Sequence, residues 1–174
     1  DEVREHTVVI NGVSKAYAMT GWRLGYAAGP KDIINRAARI QSHSTSCVNS
    51  ITQKAAIVAL SECDGSIAEM RDEFQKRRNF LVDELNKISN VKCRLPRGAF
   101  YAMPNISYYL HNNKLGIKNG VKMCEYLLKE YKVAIVSGSA FGADKYVRFS
   151  YATSMENIKE GLRRFKQGLL DSLT

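Results

Sequence analysis

Ser14-Lys15-Ala16-Tyr17-Ala18-Met19-Thr20-Gly21-Trp22-Arg23-Leu24-Gly25-Tyr26 places one lysine and one arginine eight positions apart in a loop of small and aromatic residues. The loop is entered from an apolar run, Thr7-Val8-Val9-Ile10, and left through another, Leu24-Gly25-Tyr26-Ala27-Ala28. That order predicts strand, loop, strand, with the first strand buried. A lysine at the end of a buried strand is a candidate amine nucleophile, because loss of water frees its lone pair. An arginine in the same loop offers a fixed fork of donors for a phosphate. An amine with a phosphate clamp suggests a phosphorylated aldehyde held as a Schiff base.

The stretch resembles the pyridoxal-phosphate lysine motif of class I/II aminotransferases, in the aspartate aminotransferase-like branch of fold type I. A second match is Ser139-Ala140-Phe141-Gly142 followed by Tyr146-Val147-Arg148-Phe149-Ser150-Tyr151-Ala152-Thr153-Ser154, with shorter ones at Gln41-Ser42-His43-Ser44-Thr45-Ser46 and Gly98-Ala99-Phe100-Tyr101. The matches run in order along nearly the whole chain. The resemblance implies an α/β fold, the C-terminal part of a fold type I transferase. Residues 1–65 would be the end of a large cofactor-binding domain, and residues 66–174 an α+β small domain. It also implies pyridoxal 5'-phosphate as cofactor, an amino acid and a 2-oxo acid as substrates, a homodimer, and a parent chain more than twice this long. The chain opening, Asp1-Glu2-Val3-Arg4, has no initiator methionine, which fits a cut product.

Carried onto this sequence, the resemblance makes Lys15 the Schiff-base lysine and the acid/base that moves the substrate α-proton. Arg23 would grip the cofactor phosphate. Ser14 would contact the phosphate or cap the loop. Arg148 would hold the substrate α-carboxylate. Strand alternation sends Arg148 to one face and Val147 and Phe149 to the other. A guanidinium so placed needs an anionic partner, which could be a structural carboxylate or a substrate. Phe100 and Phe141 would line the entrance or pack in the core. Gly21 is read as a turn that excludes a Cβ, and Gly25 as a point of close backbone approach. The sequence departs from the family pattern at Ser137, where relatives carry proline, and at Lys145, where they carry glycine. The first should loosen a turn.

Composition bounds the remainder. Hydrophobic residues make up 45% and charged residues 25% of 174, ordinary globular values. No apolar run approaches a membrane span, and no signal-peptide pattern occurs. The four cysteines form no CxxC pair and read as reduced thiols of a cytoplasmic protein. The three histidines show no metal-ligand spacing. The net charge is +9, and the dense basic cluster in the sequence is Lys76-Arg77-Arg78, where Glu69, Asp72, Glu73, Asp83 and Glu84 share the helix. This reads as a solvated mixed-charge face, so neither a nucleic acid nor a membrane is expected as partner.

Helices are predicted from Lys31 to Gln41, after an Asn49 or Ser50 cap to Cys63, and from Gly120 to Tyr131. A long one should follow the capping-box pattern Ser66-Ile67-Ala68-Glu69, and a last one should follow Ser154 with the stripe Ile158, Leu162, Phe165, Leu169 and Leu173. Short strands are predicted at 91–95, 99–103, 133–136 and 146–151. Upstream residues would complete the site, so this polypeptide by itself is expected not to transaminate. Two other functions share these motifs. One is a different fold type I activity such as a C–S lyase, and the other is the aminotransferase-like effector domain of a transcription regulator.

Overall fold

Small and β-branched residues on either side of the lysine loop pair with each other. In the computed structural model, which describes residues 2–174, the helical turn α1 (Glu2–Glu5) precedes an antiparallel ribbon of β1 (Val9–Gly12) and β2 (Gly25–Ala28). Gly12 stands opposite Gly25, and Val9 opposite Ala28. A Cβ on Gly12 would lie 3.1 Å from the Leu24 carbonyl oxygen, and one on Gly25 3.1 Å from that of Asn11. The glycine pair therefore lets the two strands close tightly at the root of the loop. β1 is not the buried strand expected from its composition: Val9 is 53% and Ile10 82% exposed. A two-stranded ribbon has no layer of its own to cover both faces.

α2 (Lys31–Ser44) follows Pro30, and α3 (Ser50–Glu62) is capped by Asn49. The Asn49 Oδ1 accepts from the Ile51 and Thr52 amides at 2.9 and 3.3 Å, filling donors that the first turn leaves open. Val13, Met19, Ala56 and Ala59 form the small buried cluster of this part, with Tyr17, Leu24 and Ala55 packed against it.

α4 (Asp64–Asn86) starts before the expected capping box, so Ser66 and Glu69 lie inside the helix. The Ile67 amide already donates to the Cys63 carbonyl at 3.0 Å, a helical bond that makes a cap at Ser66 unnecessary. The chain divides into two compact units, Asp1–Met70 and Arg71–Thr174, and the division falls within α4.

The second unit contains β3 (Tyr101–Ala102), α5 (Ser107–Asn112), α6 (Gly120–Tyr131), β4 (Val136–Ser137), β5 (Val147–Ser150) and α7 (Met155–Asp171). Its sheet is antiparallel with the order β3-β5-β4, so β5 is central. Residues 91–95 are not a strand and contribute a single bridge, Lys92 to Asn105. The reason lies in Asn86, whose amide group binds both backbone groups of Cys93, at 3.0 and 2.8 Å. Those groups are then lost to any ladder.

Ser154 caps α7 by accepting from the Asn157 amide at 3.2 Å. Ile158, Leu162, Phe165 and Leu169 turn one stripe of that helix into the core, where they meet Leu81, Leu85, Met123, Leu127 and Val147. Gly168 permits the close approach of α6, since a Cβ there would come within 2.6 Å of Leu127 Cδ2. Among the described residues, no helix is long and apolar enough to cross a membrane, and no group of three or more His, Cys, Asp or Glu could hold a metal ion. All four cysteines are unpaired.

Candidate active site

The β1–β2 loop is anchored from inside and presents its polar groups outward. Val13 is fully buried and Met19 nearly so. Between them the chain turns, with the Tyr17 amide donating to the Val13 carbonyl at 3.3 Å and the Ala18 amide to that of Lys15 at 3.2 Å. This turn exposes Lys15 and leaves Ser14 half-buried. The expected desolvation of Lys15 is not provided by this chain, because β1 and the turn are both open to solvent.

Thr20–Trp22 then forms a single 3₁₀ turn that ends on Arg23 in the left-handed region, at φ 53° and ψ 48°. Ala18 has φ 53° as well. Non-glycine residues in this conformation cost roughly 1–2 kcal/mol each, and such strain gathers where a side chain must be aimed. One guanidinium nitrogen of Arg23 donates to the Thr20 carbonyl at 2.9 Å, fixing the head beside the turn and leaving the rest of the fork outward. Gly21 has no heavy atom within 4 Å of where its Cβ would lie and has no positive φ. The steric demand expected there is therefore absent, and Arg23 carries the unusual backbone instead.

Arg148 occupies the middle of β5. Val147 and Phe149 point into the core, at 0% and 7% exposure, while Arg148 is half-buried on the other face. Its guanidinium carbon sits over two aromatic rings, 4.2 Å from the centre of Tyr101 and 4.6 Å from that of Phe141. Among the described residues, no Asp or Glu oxygen lies within 4.0 Å of it. Among the described residues, the partner of this cation is thus a pair of ring faces. Tyr101 carries no signal in the sequence beyond its place next to Phe100. It reaches Arg148 because β3 pairs with β5 so that Tyr101 faces Ser150, two residues from Arg148 and on the same side of the sheet.

Phe141 ends the 3₁₀ turn Gly138–Phe141 and is 50% exposed. Ser137 does not loosen this turn. It holds φ −62°, where proline would sit, and its hydroxyl accepts from the Ser139 amide at 3.3 Å. Lys145 has no positive φ, so glycine is not required there. Phe100 packs partly buried against the core, 6.2 Å from the ring of Phe74.

The basic run on α4 is engaged locally. Arg77 pairs with Glu73 at 2.9 Å, and Arg78 donates to Asn79 and to the Pro96 carbonyl.

An amine, a hydroxyl and a guanidinium thus lie on one strand-to-strand loop, and an arginine held on aromatic faces follows in an α+β unit. The chain belongs to the family of class I and II aminotransferases, which matches residues 1–165. It is 44% identical over 165 residues to an aspartate aminotransferase of Rhizobium meliloti, covering 93% of this chain and 40% of that relative. It is also 44% identical over 167 residues to an aspartate/prephenate aminotransferase of Nitrosomonas europaea, covering 94% and 42%. The crystal structure of the Rhizobium meliloti enzyme superimposes with a TM-score of 0.91 over 98% of this chain and 43% of that one. The fold is therefore that of a partial fold type I transferase, and the chain spans about two fifths of the length of the relatives it matches.

Proposed function

We propose that the chain is the portion of a pyridoxal-phosphate-dependent aminotransferase that carries the reactive lysine, moving an amino group between an amino acid such as aspartate and a 2-oxo acid. The observation that carries this reading is the β1–β2 loop, with Lys15 exposed on its turn and Arg23 held in left-handed backbone eight residues later. The donor set suits the cofactor: a primary amine for an aldehyde, and a guanidinium and a hydroxyl for a phosphate. Once bound, pyridoxal phosphate supplies an electron-withdrawing ring that takes up the electron pair left when the substrate α-carbon loses its proton.

The remaining tasks fall to side chains. Lys15 Nζ would hold the cofactor through its aldehyde and, as the acid/base, would move the proton from the substrate α-carbon to the carbon that had borne that aldehyde. Arg23 offers its fork to the phosphate in a charge-assisted contact, with Ser14 Oγ as a further donor. Arg148 binds the substrate α-carboxylate, a role supported by the lack of a competing carboxylate among the described residues. Residues 1–65 would then close the large cofactor-binding domain and residues 66–174 form the small one, in a cytoplasmic homodimer. The names of relatives, an aspartate aminotransferase and an aspartate/prephenate aminotransferase, favour transamination over C–S lysis or regulation.

Borohydride reduction of the complete enzyme with pyridoxal phosphate, followed by peptide mass mapping, should place the modification on Lys15. Modification of a different lysine would overturn the assignment. The 174-residue chain incubated with cofactor and an amino donor should show no enzyme-level turnover.

A further inference from the structure

Arg148 is held by two aromatic side chains from different elements, and neither contact uses the donors that a substrate needs. Tyr101 comes from the edge strand β3, and Phe141 from the turn after β4. At 4.2 and 4.6 Å from the ring centres, the guanidinium carbon is in cation–π contact with both. A planar guanidinium that stacks on rings is held through its face, while its N–H groups lie around its rim. A carboxylate partner would fix the arginine by occupying that rim.

Both rings are themselves fixed. Tyr101 packs on Phe100 with ring centres 4.5 Å apart. Phe141 is placed by a tight loop in which the Gly138 amide donates to the Tyr146 carbonyl at 2.8 Å and the Ala143 amide to the Gly138 carbonyl at 3.0 Å. A Cβ on Gly138 would collide with the Ala143 carbonyl oxygen and stand 2.6 Å from that of Tyr146, so the backbone here closes as tightly as it can. A half-exposed phenylalanine on such a turn adds little to the core. Its one described cation contact is Arg148.

We infer that Tyr101 and Phe141 are positioning residues for carboxylate recognition: their ring faces hold the Arg148 guanidinium so that its rim is presented, already oriented, to an anionic substrate group. This rests on the proposed role of Arg148. Orientation of the fork in advance lowers the ordering cost of binding, so the effect belongs in affinity for the carboxylate and not in the proton-transfer step.

The test uses the complete enzyme with Phe141→Leu, Tyr101→Leu and the ring-preserving Tyr101→Phe and Phe141→Tyr. Each leucine variant should raise KM for the amino acid and the 2-oxo acid roughly fivefold, within the range of a cation–π contact, with kcat shifted less than twofold. The ring-preserving variants should recover most of that loss. The half-reaction with a primary amine that lacks the carboxylate, followed by cofactor absorbance, should run at the same rate in wild type and Phe141→Leu. An unchanged KM in Phe141→Leu, or an equal loss with the carboxylate-free amine, would overturn the inference. Because Phe141 is half-exposed, that variant folds even if Tyr101→Leu does not. Arg148→Lys serves as the separate control: if it leaves KM unchanged, the carboxylate role of Arg148 itself has failed.

Discussion

Arg23 combines a costly backbone with an exposed cationic side chain, and the two can be separated by one substitution. Glycine adopts φ 53° without the steric penalty that arginine meets there. It also adds freedom to the unfolded chain, which offsets much of the relief. Arg23→Gly should therefore leave stability within about 1 kcal/mol of the original, while removing the fork that the proposed phosphate contact requires. In the complete enzyme, the cofactor dissociation constant should rise tenfold or more, on the scale of a charge-assisted bidentate contact. A loss of stability with cofactor affinity intact would mean that Arg23 serves the loop and not the phosphate. Arg148 poses the matching question for substrate. Lysine keeps the charge but loses the planar fork and its stacking on Tyr101 and Phe141. Arg148→Lys should raise KM for both acids by ten- to a hundredfold, read in steady-state assays, with the absorbance of bound cofactor little changed.

Helices and turns decide how firmly these side chains are held. Gly138→Ala forces a Cβ against two backbone carbonyls and should destabilise the second unit by roughly 1–3 kcal/mol, the usual cost of overpacking, seen as a lower urea midpoint. α7 offers a pH test. Glu160 lies between Arg163 and Arg164, with oxygens 2.8 and 2.7 Å from their Nε atoms. The hydrogen bonds from Arg163 and then Arg164 bring its carboxyl down from 4.5 to about 2. A lowered carboxyl value means that its contribution is complete above pH about 4.5 and fades as pH falls toward 2. The difference in melting temperature between the original chain and Glu160→Gln should shrink across that window. A difference that stays constant would show that the pair adds nothing. These elements also mark what the sequence could reveal. α6 and α7 were legible because a helical stripe and a cap coincide, as at Ser154 with Ile158 to Leu169. Arg148 was legible as an inward-neighboured strand arginine through its period of two. The segment 91–95 was not, since Asn86 captures its backbone from seven residues away. Nor was the Tyr101 contact, which exists through cross-strand register, nor the left-handed backbone at Arg23, which no local residue type signals.

At the scale of the whole chain, the two units differ in how much apolar surface they bury. Val13, Met19, Ala56 and Ala59 make up the buried cluster of the first, and two of them are alanines. The second gathers Leu81, Leu85, Met123, Leu127, Phe165 and Leu169 with many others into one cluster. In the first unit, Ile10, Ile40, Ile51, Ile57, Val58 and Leu60 remain 48–82% exposed, although α3 carries apolar residues all round. Burial stabilises by about 25 cal/mol per Å² of apolar surface, so a unit with few buried side chains opens more readily than its neighbour. Amides of β1, β2 and α3 should accordingly exchange with solvent at least a hundredfold faster than those of β5 and α7, measured by hydrogen exchange on the 174-residue chain. The comparison bears on function because the proposed lysine loop lies in the weak unit and Arg148 in the strong one. In the complete enzyme, whose relatives are more than twice as long, the same first-unit amides should gain protection while those of β5 and α7 change little. Equal protection of both units in the 174-residue chain would show that the first unit is stable on its own small core. The proposed requirement for further chain would then rest on the supply of chemical groups and not on holding the loop.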